Sequence, residues 1–223
     1  MKRPAILQLE DGTSRVCTKE LPADLPMGYH TLVQPRSTGK MRLIVAPDKC
    51  YLPESPDAWG WALQLYALRS KASWGMGDFG DLRDFARWSS DELQCDFILC
   101  NPMGAVAPLL PQQASPYFPG SRLFLNPLYL RIEDVPGANH AGVPISRLAR
   151  SGHALNQRRL IERDKIFHLK MTALEKIWGR FSGDRRFEDF RAGRGQPLKE
   201  FATFCALAEC FQSGWHAWPN AFR

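Results

Sequence analysis

The chain reads as α/β, preceded by a short all-β stretch and followed by helices, and three observations carry that reading. Two apolar runs, residues 59–68 (WGWALQLYAL) and 95–100 (CDFILC), flank an amphipathic segment, FGDLRDFARWSSDEL, in the order strand, helix, strand. Continuously apolar strands joined by an amphipathic helix imply a parallel sheet covered by helices, hence a doubly wound sheet or a (β/α) barrel. Residues 1–52 instead run in short alternating segments broken by Pro and Gly, as antiparallel strands do, while much of 145–223 has helical periodicity.

Taken in order, residues 1–52 contain AILQLEDG, LPADLPMGYHTLVQP and MRLIVAPDKCYLP, with residues 32–35 and 41–45 placed to pair as a hairpin across PRSTGK. Three or four such strands cannot close a sandwich, so the stretch is read as the end of a β-sandwich. Residues 53–58, with Pro53 and Pro56, are read as a linker. Residues 59–102 form the βαβ unit: the first strand leads into a Gly-rich loop, RSKASWGMGD. Asp78 is placed to cap the helix, whose apolar stripe is Phe79, Leu82, Phe85, Ala86 and Leu93.

Residues 103–144 are too long and too rich in Pro and aromatics for an ordinary βα connection, which marks them as a packed, functional loop. Residues 145–223 are expected to be a helical subdomain. Ile161, Ile166, Leu169, Leu174 and Ile177 make one stripe; Phe201, Phe204, Cys205 and Ala208 make another, and Gly193, Gly195 and Pro197 break the chain between them.

Composition narrows the function classes. With 223 residues, 44% hydrophobic and 23% charged, the chain suits a globular domain or one and a half. No apolar run approaches the ~18–20 residues a membrane span needs, and the N-terminus lacks the apolar core of a secretion signal, so a cytoplasmic protein without membrane partners is expected. The formal charge of +6 and pI near 9.1 come from Lys and Arg spread along the chain without a nucleic-acid motif; a solvated basic face on the helices explains them, and no nucleic-acid partner is expected. The six cysteines include two pairs five residues apart, wider than structural zinc ligands prefer, so reduced thiols and no metal are expected.

Chemistry is sought where the loops after Leu68 and Cys100 would emerge, because barrel enzymes hold substrate at the carboxyl ends of their strands. In SWGMGDFGDL, Trp74 and Asp78 are candidate substrate contacts, with packing and helix capping as their competing roles; the loop lacks the third glycine and the lysine of a phosphate cradle. In ASPYFPGSR, Tyr117 offers a face on which a pyranose can stack, and Ser115 and Arg122 offer hydrogen-bond donors to sugar hydroxyls. Pro116 and Pro119 limit the unbound loop's freedom and so lower the ordering cost of binding. No paired carboxylates stand out: Asp78, Asp81, Asp84, Asp91, Glu92, Glu133 and Asp134 read as caps or surface charges. No catalytic residue is assigned, and HExxH and GxSxG are absent.

From residue 59 to 135, the succession GWALQLYALRS, SWGMGDFGDL, CDFILCNP and SPYFPGSRLFLNPLYLRIEDVP resembles the amylomaltase family, bacterial 4-α-glucanotransferases, in order and spacing. Upstream, LPMGYHTL and RLIVAP resemble the end of the N-terminal β-sandwich of the longer members; downstream, IERDKIFHLKMTALEKIW and FATFCALAE resemble their helical insertion. The resemblance implies a (β/α)8 TIM barrel of which this chain holds the first two strands. It also implies transfer of α-1,4-glucan segments to the 4-hydroxyl of an acceptor glucan by a retaining mechanism, with no cofactor and with maltooligosaccharides as substrates. Ser115 and Tyr117 match loop positions lining the donor cleft, and Arg122 and Asn126 match positions that hold that loop. Gly104 stands where many members carry His and others carry Gly. The family's catalytic carboxylates come from later strands, so the resemblance implies an N-terminal portion, inactive and poorly stable alone, whose partner is the C-terminal part of the barrel. The rival reading is a non-catalytic glucan-binding protein or one half of a split enzyme.

Overall fold

The computed structural model describes residues 4–18, 20–34, 39–52, 57–139 and 145–223. The chain divides into two compact units, residues 1–57 and 58–223. In the first, β1 (Ala5–Gln8), β2 (Ser14–Cys17), β3 (Gly28–Val33) and β4 (Lys40–Val45) form one antiparallel sheet in the order β2-β1-β3-β4. The expected hairpin is present, with Leu32 opposite Met41; Pro35 and most of its turn lie outside the described residues, as do Pro53 and Pro56. Alternation places Ala5, Leu7 and Leu9 on the buried face with Cys17 and Leu32. His30, 2% exposed, is fixed through both ring nitrogens: Nδ1 accepts from the Glu10 N–H (3.1 Å) and Nε2 donates to the Pro26 carbonyl (2.8 Å).

The second unit begins with the expected βαβ. β5 (Gly60–Leu63) and β6 (Phe97–Cys100) pair in parallel, Gly60 opposite Phe97 and Leu63 opposite Cys100, and α1 (Phe79–Leu93) connects them. Two expectations are corrected. The first strand stops at Leu63 rather than running to residue 68, and residues 65–67 wind into a 3-10 turn. The Leu65 N–H donates to Asn101 Oδ1 (2.7 Å), so a side chain at the end of β6 takes the donor that a longer ladder would have used. The second strand begins at Phe97 rather than Cys95, and it is not buried on both faces. Trp61 lies on the α1 side, its ring 5.7 Å from Phe85, whereas Phe97 and Leu99 on the opposite face are 51% and 65% exposed.

Residues 103–139 contain a small ladder, in which β7 (Gly104–Ala105) pairs antiparallel with β8 (Ser121–Leu125), and two 3-10 turns, Pro127–Tyr129 and Ile132–Asp134; residues 140–144 lie outside the described residues. A Cβ at Gly104 would stand 2.6 Å from the Ser121 carbonyl and 2.9 Å from Pro119, so glycine lets these backbones close. Three helices follow: α2 (Ser146–Ala154), α3 (Arg163–Trp178) and α4 (Arg185–Phe211). The expected break is present at Gly195 (φ 51°, ψ −134°), with the expected helical stripe after it, and a further helical stretch from Arg185, capped by Asp184, precedes it. Pro197 then sits in the first turn after the break, where its missing N–H costs no helical bond.

Two cores hold this unit. Leu65, Met76, Leu128, Tyr129 and Ile166 pack between the strand ends and α3, and Trp74, Ile132, Ala138, Ile145, Ala173 and Ile177 pack among the loops, α2 and α3. Both draw on α3, so the helical region is part of the support of the loops rather than an appendage.

Candidate functional site

The carboxyl ends of β5 and β6 open into a narrow cleft. Tyr66 comes from the turn after β5, Pro102 and Gly104 from the segment after β6, Gln113, Ser115 and Pro116 from the long loop, Asn126 and Tyr129 from its return, and Arg163 from the start of α3. The cleft has about 20 Å³ of free space, room for a water.

Each wall has an identifiable tether. Asn101 accepts from the Leu65 N–H and donates through Nδ2 to the Pro102 carbonyl (2.7 Å) and the Tyr129 hydroxyl (3.0 Å). Burial raises the Tyr129 phenol above its ordinary range against the opposing pull of the Asn101 bond. Asn126 is the cap of the Pro127 turn, accepting from the Leu128 N–H (3.0 Å), and its own N–H donates to the Met103 carbonyl (2.9 Å), which closes the base of the loop. Ser115 Oγ accepts from the Tyr117 N–H (3.3 Å), and the Ser115 N–H donates to Gln113 Oε1 (2.9 Å). The loop is pinned to α3 where the Gln112 N–H donates to Asp164 Oδ1 (2.7 Å).

Of the six candidates read from sequence, Ser115 and Asn126 line the cleft, whereas Tyr117, 62% exposed, is not among its lining residues and follows Pro116, which is. Arg122 is exposed on β8 and makes no ion pair among the described residues. Trp74 and Asp78 are elsewhere. Both are fully buried, and neither has surface to offer a sugar. Trp74 donates through Nε1 to Glu133 Oε1 (2.8 Å) and packs against Gly152, where a Cβ would stand 2.5 Å from the indole.

Asp78 caps α1 reciprocally with Asp81: Asp78 Oδ1 accepts from the Asp81 N–H (3.1 Å), and Asp81 Oδ2 accepts from the Asp78 N–H (3.0 Å). The same two carboxylates receive Arg131, whose Nε stands 2.7 Å from Asp78 Oδ2 and whose Nη2 stands 2.8 Å from Asp81 Oδ1. Lys170 completes the set. Its Nζ donates to the Leu128 and Leu130 carbonyls, both at 2.7 Å, and lies 3.9 Å from Asp78.

This cluster of two buried anions and two buried cations was the main feature sequence reasoning missed. Burial draws Arg131 down, but its bonds to Asp78 and the fields of both carboxylates outweigh that and hold it above its ordinary value. Burial pulls Lys170 down to about 8 against the attraction of Asp78. A lysine on the stripe that carries Ile166, Ala173 and Ile177 was the available signal; reading the region as a solvated basic face concealed it. Asn156, which accepts from the Gly75 N–H (3.0 Å) and donates to the Ser73 carbonyl (2.7 Å), was likewise invisible, because its partners lie about eighty residues away.

Comparison with known proteins bears on this arrangement. The family model described as 4-alpha-glucanotransferase matches residues 63–223, and that of the MalQ N-terminal beta sandwich domain matches residues 4–47. The chain belongs to the 4-alpha-glucanotransferase family. A relative named 4-alpha-glucanotransferase from Mycobacterium tuberculosis is 36% identical over 97% of this chain, and one from Haemophilus influenzae is 31% identical over 96%. The chain spans about a third of the length of these curated relatives, 35% and 34%. The crystal structure of amylomaltase from Corynebacterium glutamicum superposes with a TM-score of 0.77 at 33% identity, covering 94% of this chain and 34% of that one. The family assignment agrees with a βαβ unit of parallel strands whose carboxyl ends carry the cleft, the arrangement from which barrel enzymes are built.

Proposed function

We propose that the cleft is one wall of the donor-side glucan site of a cytoplasmic 4-α-glucanotransferase, which moves α-1,4-glucan segments to the 4-hydroxyl of an acceptor glucan through a retained glycosyl-enzyme. The substrates of this reading are maltooligosaccharides and longer α-1,4-glucans. The observation that carries it is a polar cleft beside the ends of two parallel strands, lined by Ser115, whose hydroxyl accepts the N–H of the exposed Tyr117. An exposed phenol ring in such a place gives a pyranose a face to stack on, and Ser115 and Gln113 give its hydroxyls partners. Asn126 and Asn101 serve by holding the loop, and Trp74 and Asp78 by holding what lies beneath it.

Retaining transfer needs two carboxylates about 5–5.5 Å apart across the scissile bond. Among the described residues none lines the cleft, and Asp78 and Asp81 are committed to Arg131. The reading therefore assigns this chain sugar binding without bond cleavage. The same observation favours the second reading, a glucan-binding module without chemistry of its own.

The test is to incubate the purified chain with maltotriose and follow glucose and longer maltodextrins, while titrating maltotetraose into wild type and Tyr117→Ala by ¹H–¹⁵N NMR. Binding that Tyr117→Ala weakens at least tenfold, without glucose release, is expected. Turnover by the chain alone would overturn the assignment of cleavage elsewhere, and equal binding by Tyr117→Ala would overturn the glucan site.

A further inference from the structure

Arg163 occupies the first position of α3, and its guanidinium lies 5.4 Å from the centre of the Tyr66 ring. It lines the cleft, as Ser115 does. Among the described residues its side chain makes no ion pair and no hydrogen bond, although acids flank it on both sides. Glu162 is taken by Lys165 and Arg158, and Asp164 accepts the Gln112 N–H. A cation in the first turn of a helix also opposes the helix dipole, which favours anions there. The residue is thus held where neither local pairing nor the helix favours it, with its five donors uncommitted.

We propose that Arg163 is a substrate-contacting residue of this cleft, donating a forked pair of hydrogen bonds to adjacent hydroxyls of the glucosyl unit that Ser115 also meets. This rests on the reading of the cleft as a glucan site and extends it to a residue from the helical region. The chemistry fits. A guanidinium is planar and presents parallel N–H groups at a spacing that suits two neighbouring oxygens, and stacking on Tyr66 fixes its plane before the sugar arrives. Because Asp164 pins the loop through Gln112, the gap between Arg163 and Ser115 is set by α3 and not by a free loop. A lysine there would keep the charge but lose the fork.

The experiment is a maltotetraose titration of the 223-residue chain by ¹H–¹⁵N NMR, comparing wild type with Arg163→Met, Arg163→Lys, Arg159→Met and Tyr117→Ala, each accepted only with a dispersed spectrum. Arg159 is exposed and outside the cleft, so its variant controls for net charge. A loss of about tenfold or more in Arg163→Met, a smaller loss in Arg163→Lys and less than twofold in Arg159→Met are expected. If Tyr117→Ala weakens binding while Arg163→Met matches wild type, the role of Arg163 is overturned and the glucan site stands. An Arg159→Met loss equal to that of Arg163→Met reduces the effect to net charge and also overturns it. If Tyr117→Ala binds as wild type does, or wild type does not bind, the glucan reading falls and takes this inference with it. Should Arg163→Met fail to fold, wild-type affinity in Arg163→Lys overturns the proposal.

Discussion

Asn101 and Tyr129 meet through a buried hydrogen bond, Nδ2 to phenolic oxygen at 3.0 Å, and this contact joins the end of β6 to the return of the loop that follows it. The asparagine also takes the Leu65 N–H, so one side chain fixes the turn after β5, the segment after β6 and the base of the cleft. Asn101→Ala is expected to leave the Leu65 N–H unpaired and to cost about 2–4 kcal/mol in urea unfolding. All seven tryptophans lie between residues 59 and 218, so indole fluorescence reads this unit alone; a change under ~0.5 kcal/mol would mean that water replaces the side chain.

Lys170 gives the stability of the unit a pH dependence of defined sign. Its folded value of about 8 lies below the ordinary 10.5. Below pH 8 the amine is charged in both states and the folded protein carries the whole cost of burying it. Between 8 and 10.5 the unfolded chain binds more protons, so stability rises with pH by on the order of 3 kcal/mol, and above 10.5 it levels off. Cys205 acts in the opposite sense: burial raises its thiol from 9.0 to about 11, so its contribution is complete below pH 9 and is lost between 9 and 11. Lys170→Met should abolish the rise and, at pH 7, destabilise the unit by about 2–4 kcal/mol through the unpaired carbonyls and carboxylate. Urea midpoints at half-unit pH steps in reducing buffer decide the matter; an unchanged slope in the variant would assign the dependence to another group.

Trp74 is tested from both sides of its ring. Trp74→Phe keeps an aromatic filler and removes the bond to Glu133, for an expected cost of about 1–2 kcal/mol. Gly152→Ala drives a methyl into the indole and should cost about 1–3 kcal/mol by overpacking. If both are neutral to thermal unfolding, the ring is not clamped between Glu133 and α2.

Gly195 holds the break in α4 with a backbone that only glycine adopts easily, and no atom stands within 4 Å of an added Cβ. Gly195→Ala should therefore act through the backbone alone, destabilising by about 1 kcal/mol or more. Circular dichroism with hydrogen exchange on residues 185–211 distinguishes this strain from a variant that simply straightens the helix and gains amide protection.

Phe97 and Leu99 form an apolar strip on the face of the β5–β6 pair away from α1. Exposed flat strands of this kind self-associate. Light scattering of the chain is expected to show concentration-dependent association that Leu99→Glu reduces while the urea midpoint stays within ~0.5 kcal/mol of wild type. Monodisperse wild-type protein at every concentration would remove the premise.

Much of this fold was legible because its signals are local. The hairpin at Leu32 and Met41, the Asp78 cap and the break near Gly195 each follow from a few adjacent residues whose backbone preferences agree. The length of β5 was not legible, since Asn101, 36 residues on, ends it. At the cleft, Ser115 and Tyr117 could be named from an aromatic loop, and the motif's resemblance named Asn126. Trp74 and Asp78 looked equally suited to a ligand because an indole and a carboxylate serve a core as well as a sugar; burial decided between the two, and burial is set by Arg131, Glu133 and Lys170 from distant segments. The seat of Arg163 in the cleft needed the return of α3 to Tyr66, which no local pattern records.

The charge cluster beneath the loop also governs how the unit can be reached from the unfolded chain. Asp78 meets Arg131 across 53 residues, and Lys170 meets Leu128 across 42. Contacts so distant in sequence close late, because loop-closure entropy is lost before they reward it. Until all four charges are present, any compact intermediate that buries two or three of them holds an unbalanced ion out of water, a state less favourable than leaving the site solvated. Partial versions of this region are thereby penalised, and residues 73–81, 128–131 and 170 are expected to become native in a single concerted step.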